Sequence, residues 1–170
     1  CRPTVLTRNP DHFRVVIPHL AGHEAVSLFQ GDVRSFEFVP GTFTHIIHAA
    51  TESSESLNLQ NPILMLDTIV EGTRHTLDFA KMCGARRFLL TSSGAVYGKQ
   101  PSTITHIPEE YGGGPDQLDR KSAYAEGKRL AEHLCTLYTD TALEVKIARG
   151  FAFIGPYFPL DIHFAIGNFI

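Results

Sequence analysis

The chain has 170 residues, of which 43% are hydrophobic, and its 15 basic and 18 acidic side chains give a formal net charge of −3. This length and composition predict one soluble globular domain with its own core. The charged residues form neither like-charge blocks nor a basic stripe, which disfavours nucleic acid or a membrane surface as partner and favours a small polar ligand.

The cysteines and histidines give no sign of a disulfide framework or a metal centre. Cys1, Cys83 and Cys135 lie far apart without a C-x-x-C pair, which predicts reduced thiols in a cytoplasmic protein. His45 and His48 lie three residues apart in a predicted strand and point to opposite faces, so we expect no metal site. No apolar run approaches the roughly 20 residues of a membrane span, and the first ten residues lack the regions of a signal peptide.

Short apolar runs alternate with helical patterns along the chain. Strands are predicted over residues 4–6, 24–29, 44–50, 87–92 and 143–148. A long helix is predicted from Asn61 and Pro62 to near Gly84, because proline suits a first helical position and glycine a C-terminus. A second helix is predicted over 122–139, after a surface loop over 99–120 that is rich in Pro, Gly and acids. This alternation predicts a parallel α/β sheet.

Tyr124 and Lys128 lie four residues apart in the second predicted helix, so both project from one face of it. A free tyrosine has a pKa of about 10, and an adjacent ammonium favours the phenolate, which suits acid/base chemistry nearer neutrality. By itself the spacing is commoner on a solvated helix than in an active site.

Ser93 adds a second group to this pair. It lies where a predicted strand enters a turn with Gly94 and Gly98, and strand ends of open α/β sheets face the ligand. A serine there donates a hydrogen bond to a carbonyl or alkoxide oxygen, although turn capping also explains it.

Three segments in order resemble the extended short-chain dehydrogenase/reductases, the family of NAD(P)-dependent nucleotide-sugar epimerases and dehydratases. They are TSSGAVYG at 91–98, YAEGK at 124–128 and RGFAFIGP at 149–156. The resemblance covers nearly the whole chain and implies a Rossmann-type, doubly wound parallel sheet that binds NAD or NADP. It implies Tyr124 as the catalytic acid/base, Lys128 as the group that lowers its pKa and binds the nicotinamide ribose, and Ser93 as the group that polarises the reacting oxygen.

The resemblance also implies further binding residues. Besides Tyr124 and Lys128, the cofactor contacts are Arg8, Asp32, Val33, Ala49, Ala50, Thr51 and Phe151. In relatives the Asp-Val pair holds adenine, the Ala-Ala-Thr strand end lies beside the cofactor, and the phenylalanine position lines the nicotinamide pocket. The implied substrate contacts are Ser93, Gly94 and Asn168, the last near the diphosphate of a nucleotide sugar.

Arg8 departs from the common NAD pattern. It stands at the end of the first predicted strand, where NAD users of this fold often carry an acid for the ribose hydroxyls. An arginine there suits the 2′-phosphate of NADP, which slightly favours NADP over NAD.

The two ends of the chain also depart from the family pattern. The family begins with a strand and a G-x-x-G-x-x-G turn for the pyrophosphate, and this chain opens at the match to the second strand. We therefore expect one incomplete Rossmann-type domain over 1–170, which lacks the family's first strand and Gly-rich turn and stops before the C-terminal substrate domain. Residues 156–170 are expected to begin the substrate-binding region.

The implied reaction removes a hydride from the sugar of a nucleotide-activated substrate and passes through a keto intermediate. Gly94 and Ala95 stand where 4,6-dehydratases carry Asp-Glu to eliminate water, which favours an epimerase. Two alternatives stay open. Arg8 suits an NADPH-dependent carbonyl or keto-sugar reductase, and the missing phosphate turn suits a chain that is inactive by itself.

Relatives often form homodimers by packing the long helix and the Tyr/Lys helix into a four-helix bundle. The long helix has a predicted core stripe of Leu66, Ile69, Val70, Thr73, Leu77 and Ala80. Outside it, Met65, Met82, Leu134 and Leu137 are candidates for that interface, and core packing explains them equally well.

Overall fold

The computed structural model describes residues 1–51 and 54–151. They form two compact units, residues 1–32 and residues 33–151, each of which is described by itself. Within the described ranges no helix is long and apolar enough to cross a lipid bilayer.

The first unit contains two parallel strands joined by two short helices. β1 (Thr4–Thr7) pairs with β2 (Ser27–Gln30), and α1 (Pro10–Val16) and α2 (Pro18–Ala21) connect them. Residues 24–26 were predicted as strand and are not, because the Val26 N–H donates to the His23 carbonyl and closes a turn there.

The second unit contains a three-stranded parallel sheet in the order β3-β4-β5. β3 (His45–His48) pairs with β4 (Arg87–Ser93), which pairs along its whole length with β5 (Glu144–Gly150). The parallel α/β arrangement predicted from the alternating pattern is therefore confirmed. β3 is shorter than predicted, because residues 44, 49 and 50 of the predicted strand lie outside it.

Three helices accompany this sheet: α3 (Glu55–Gln60), α4 (Pro62–Met82) and α5 (Ala123–Tyr138). The predicted ends of α4 are confirmed, because the Asn61 side chain accepts from the Leu64 N–H at 3.1 Å and Gly84 takes a φ of +71° after the last turn. α5 likewise agrees with the prediction over 122–139.

α4 and α5 pack against each other and against the strands, and their shared side holds the core. Ile69, Leu77 and Phe88 are among the largest fully buried side chains. Of the stripe predicted on α4, Ile69, Thr73, Leu77 and Ala80 are buried, and Leu66 and Val70 are half-buried.

The side chains proposed for a dimer interface divide into two pairs. Met65 is 1% exposed and Leu134 6% exposed, so both belong to the core rather than to an external face. Met82 and Leu137 are 52% and 66% exposed, which leaves them accessible.

The dimer itself stays a prediction, and so do the single domain over 1–170 and the substrate region over 156–170.

A 3₁₀ turn over Gly94–Tyr97 follows β4, and the loop after it contains neither helix nor strand until a second 3₁₀ turn at Arg120–Ser122. The loop is held close to the first turn: Arg129 donates from Nη1 to the carbonyls of Val96 and Gly113, at 3.0 and 2.9 Å. Gly98 permits this approach, because it has a φ of +68° and a Cβ there would collide with the Gly114 carbonyl.

Three glycine-to-alanine substitutions separate backbone strain from steric collision. Gly112→Ala, at a position with open space, is expected to change the free energy of unfolding by less than about 0.5 kcal/mol. Gly84→Ala, with positive φ and open space, is expected to cost about 1 kcal/mol. Gly98→Ala combines positive φ with a backbone collision and is expected to cost about 3 kcal/mol. Urea unfolding measures all three, and a Gly98→Ala protein as stable as Gly84→Ala would contradict the close approach.

Candidate active site

The carboxyl ends of β3, β4 and β5 meet at one edge of the sheet because the three strands are parallel. Thr51 lies three residues after β3, Ser93 is the last residue of β4, and Phe151 follows β5 directly. α5 contributes Tyr124 and Lys128. The second unit thus contains all three predicted catalytic residues.

Lys128 connects the helix to two of these strand ends. Its ammonium donates to Thr51 Oγ1 and to the Thr91 carbonyl, each at 2.8 Å. The side chain is buried, and burial lowers the pKa of the Lys128 ammonium from 10.5 to about 8, while the negative charge of Glu132 acts in the opposite direction. Lys128 is therefore a cation with a fixed position near neutral pH.

Tyr124 lies one helical turn before Lys128 and is half-buried. The Lys128 ammonium lies 5.9 Å from the centroid of the Tyr124 ring, within the range of a cation–π contact. The structure thus brings together the tyrosine and the lysine that the sequence paired.

Ser93 and Ser92 have different surroundings although they are neighbours. The Ser93 hydroxyl oxygen accepts from the Ala95 N–H at 3.2 Å, and the side chain is half-buried. That bond uses a lone pair, so the hydroxyl proton of Ser93 can be donated to another group. Ser92 is buried and donates a hydrogen bond to Glu132 Oε1 at 2.5 Å, so its hydroxyl proton is already used within the core.

The Phe151 ring packs against Gly94, the residue after Ser93. The Phe151 ring is 71% exposed and stacks on Tyr97, with centroids 6.1 Å apart. A Cβ on Gly94 would lie 2.5 Å from Phe151 Cδ1, so only glycine lets the ring lie there. An exposed aromatic ring at a strand end offers a flat apolar surface to a ligand.

The other predicted cofactor contacts occupy several places. Ala49 and Ala50 are exposed after β3. Val33 opens the second unit and packs against Gly72, where an added Cβ would lie 2.8 Å from Val33 Cγ1. Arg8 and Asp32 belong to the first unit, Arg8 directly after β1 and Asp32 at the unit's end. Asn168 lies outside the described residues.

The ion pair of Glu132 and Arg149 was not singled out from the sequence. Arg149 binds the Glu132 carboxylate in a bidentate manner, with Nε 3.0 Å from Oε1 and Nη2 2.8 Å from Oε2. Its Nη1 donates to Tyr97 Oη and to the Glu109 carbonyl, both at 2.9 Å, and Glu132 raises the pKa of the guanidinium. The pair joins β5, α5, the 3₁₀ turn and the loop. One signal was available: Glu132 lies four residues after Lys128, on the same helix face.

His48 is a second buried polar group near Lys128. Its Nε2 lies 3.0 Å from Thr73 Oγ1. Burial, and secondarily the charge of Lys128, lowers the pKa of His48 from 6.5 to about 4, so the ring is neutral at physiological pH. Across the described ranges 1–51 and 54–151, no three His, Cys, Asp or Glu side chains are placed to hold a metal ion.

The residues at the strand ends fit the nicotinamide-ribose part of a dinucleotide. The buried Lys128 ammonium and the Thr51 hydroxyl offer polar contacts suited to ribose hydroxyls, and they lie next to the exposed alanines after β3. Small side chains at this edge leave room for a cofactor to approach the strands.

Parallel strands with interleaved helices and a polar site at their carboxyl ends are typical of Rossmann-type enzymes. Residues 5–168 match the model of the NAD dependent epimerase/dehydratase family. The chain therefore belongs to this family, and the expected fold and enzyme class are confirmed.

Two curated relatives are similar to this chain. It is 34% identical to UDP-glucuronic acid decarboxylase 1 of Xenopus tropicalis, an alignment that covers 91% of this chain and 36% of the relative. It is 37% identical to UDP-glucuronic acid decarboxylase 6 of Arabidopsis thaliana, over 88% of this chain and 42% of the relative. The chain thus spans well under half the length of these relatives, and their names do not support the preference for an epimerase.

A solved structure shows the same fold. UDP-N-acetylglucosamine 4-epimerase from Methanobrevibacter ruminantium, in complex with UDP-N-acetylmuramic acid, superposes with a TM-score of 0.81 at 17% identity. The match covers 95% of this chain and 50% of that chain.

A double-mutant cycle tests the ion pair of Glu132 and Arg149. Glu132→Gln and Arg149→Met each leave one partly buried charge without its counterion, so each is expected to lower the free energy of unfolding by about 3 kcal/mol. The double variant is expected to lose less than the sum of the two, by about 2 kcal/mol. Glu144→Gln is the control: its exposed carboxylate pairs with Arg87 and Lys146 at the surface, where solvent screens the charges, so a much smaller loss of stability is expected. Strict additivity in urea unfolding would contradict the coupling.

The buried histidine predicts a pH-dependent stability. His48 has a folded pKa of about 4, below its ordinary 6.5, so the unfolded chain binds the extra proton between these values. The stabilisation is complete above pH 6.5 and is lost as the pH falls toward 4, by about 3 kcal/mol in total. In His48→Gln this part of the dependence is expected to vanish, whereas in His45→Gln, altered at an exposed position of the same strand, it is expected to persist. Equal slopes of unfolding free energy against pH in the two variants would contradict this.

Proposed function

We propose that the protein oxidises the sugar of a nucleotide-linked uronic acid, decarboxylates it at the keto stage and reduces the product again, with UDP-glucuronic acid as substrate. The observation that carries the redox part is the buried Lys128 ammonium, held by two strand ends beside the Tyr124 ring. The similarity to UDP-glucuronic acid decarboxylases supports the choice of substrate.

Three side chains are proposed to perform the proton chemistry. Tyr124 removes the proton of the sugar hydroxyl, and its phenolate is stabilised by the nearby Lys128 ammonium. Ser93 donates a hydrogen bond from its hydroxyl to the same sugar oxygen and holds that oxygen in place. Because the Lys128 ammonium is fixed by Thr51 and Thr91, the stabilising charge needs no rearrangement during the reaction.

NAD or NADP supplies the hydride acceptor when it is bound. Lys128 and Thr51 are proposed to bind its nicotinamide ribose, Ala49 and Ala50 to leave space beside it, and Phe151 to line the nicotinamide pocket. At the other end of the cofactor, Asp32 and Val33 are proposed to hold adenine, and Arg8 to pair with a 2′-phosphate if the cofactor is NADP. Gly94 and Asn168 are proposed as substrate contacts.

Loss of carbon dioxide follows from the position of the ketone. In a hexuronic acid, a ketone at C4 lies β to the C6 carboxylate, so the electrons of the C5–C6 bond can move into the carbonyl as carbon dioxide leaves. Ser93 and Tyr124 would hold the resulting enolate oxygen while C5 takes up a proton from water. The C4 ketone would then be converted into the nucleotide pentose by the hydride of a reduced dinucleotide bound at Lys128 and Thr51. The loss of carbon dioxide needs no side-chain carboxylate as acid or base. This agrees with Gly94 and Ala95, which follow Ser93 and carry no carboxylate.

A second candidate is an NADPH-dependent keto-sugar reductase. The arginine directly after β1, at Arg8, favours it because a guanidinium pairs well with the 2′-phosphate of NADP. The two functions differ in their use of cofactor, since the decarboxylation cycle regenerates it and the reductase consumes it.

The natural protein incubated with UDP-glucuronic acid and NAD or NADP is expected to release carbon dioxide and form a nucleotide pentose without net cofactor change. Stoichiometric loss of NADPH with a keto sugar would instead support the reductase. A change of stereochemistry without carbon dioxide would support an epimerase. If calorimetry detected no binding of either dinucleotide, the chain would be inactive by itself.

Tyr124→Phe tests the assignment of the base. The variant is expected to lower kcat by about 10³-fold, because the proton acceptor is lost, while the Kd for the dinucleotide stays near its original value. Tyr138→Phe is the matched control, since it makes the same change at the far end of α5, where the hydroxyl binds Asp78. If kcat were equal in the two variants, Tyr124 would not be the base.

A further inference from the structure

α5, the helix that carries Tyr124 and Lys128, does not cap its own start. The first N–H groups of any helix lack partners within the helix and need acceptors from elsewhere. Ser122 precedes α5 and makes no capping hydrogen bond with its side chain. By contrast, α1, α3 and α4 are capped by the side chains of Asn9, Ser54 and Asn61.

Asn58 on α3 supplies the missing partner from a distant part of the sequence. Its Oδ1 accepts from the Tyr124 N–H at 3.0 Å, and its Nδ2 donates to the Lys121 carbonyl at 2.8 Å. One amide thus holds the chain on both sides of the junction between the 3₁₀ turn Arg120–Ser122 and α5.

The connection between β3 and α4 therefore contacts both members of the Tyr/Lys pair. Thr51, just after β3, accepts from the Lys128 ammonium, and Asn58, before α4, accepts from the Tyr124 backbone. Lys128 is anchored through its side chain in the middle of α5, whereas Tyr124 is the second residue of the helix, where helices fray. Tyr124 has the greater need of an external anchor.

We propose that Asn58 is a positioning residue for Tyr124, which fixes the first turn of α5 so that the phenol stays in place relative to the reacting sugar oxygen. This inference rests on the proposed role of Tyr124 as base. A backbone displacement of about 1 Å at a catalytic group lowers rates by up to about 100-fold, so the loss of two hydrogen bonds at this turn has a measurable effect.

Asn58→Ala and Asn58→Asp separate position from general stability. Asn58→Ala removes both hydrogen bonds and is expected to lower kcat by about tenfold, with KM for the nucleotide sugar and Kd for the dinucleotide within about twofold of the original values. Asn58→Asp keeps an acceptor for the Tyr124 N–H but loses the donor to the Lys121 carbonyl, so it is expected to recover part of the lost rate. An Asn58→Asp protein as slow as Asn58→Ala would overturn the proposal.

Asn61→Ala is the matched control, because it removes an asparagine cap from the neighbouring helix α4, which carries none of the proposed catalytic residues. It is expected to lower Tm about as much as Asn58→Ala does and to leave kcat within about twofold. If both alanine variants lowered kcat equally, Asn58 would have only a structural role.

Amide hydrogen exchange gives a readout that does not depend on turnover. Exchange at the Tyr124 amide is expected to accelerate about tenfold in Asn58→Ala, to return toward the original rate in Asn58→Asp and to stay unchanged in Asn61→Ala. If the unaltered protein transferred no hydride from any nucleotide sugar, the proposed function would fail, and the exchange data would still report on the anchor. Unchanged exchange in Asn58→Ala would show that Asn58 does not hold the turn.

Discussion

The ion pair between Glu132 and Arg149 is the constraint on which the arrangement of the site depends. Removing two charges from water is costly, and the cost is recovered only when the remaining donors and acceptors are satisfied as well. Here Ser92 and Arg149 satisfy the carboxylate, and Tyr97 and the Glu109 carbonyl take the remaining guanidinium donor. Since each partner lies on a different element, few placements of α5 against β4 and β5 satisfy all of them at once.

Beside this pair, the site contains two buried basic side chains, of which Lys128 is charged and His48 is neutral. Lys128 keeps its charge near neutral pH because Thr51 and Thr91 accept from it and Glu132 lies one turn away. His48 is equally buried, and its pKa is lowered first by that burial and second by the charge of Lys128, so the ring is neutral. The strand ends therefore present one fixed cation, the Lys128 ammonium, rather than two competing ones.

Local patterns in the sequence were enough to predict the five strands, the two long helices and the Tyr/Lys pair, because helix spacing, capping residues and strand-end turns are local properties. The short helix α3 was not predicted. Local patterns failed where distant groups decide the outcome. The start of β2 depends on a turn at His23, and Met65 and Leu134 are buried because α4 and α5 pack against both the sheet and each other, which widens the buried face beyond one stripe. The contacts of Asn58 and Arg149 join residues far apart in sequence, and no spacing rule reveals them. The preference for epimerase chemistry rested on the missing acids at Gly94 and Ala95, and the names of the curated relatives do not support it.

The loop between β4 and α5 is held by arginines that bind its main chain. Arg129 and Arg149 donate to the carbonyls of Gly113 and Glu109, and a carbonyl is present whatever side chain the residue carries. The loop's side chains can therefore change during evolution without loosening these attachments, apart from Gly98, Gly113 and Gly114, where a side chain would collide with its neighbours. Natural variation or directed evolution can thus alter the surface next to the candidate site while the main-chain contacts that hold the loop stay the same.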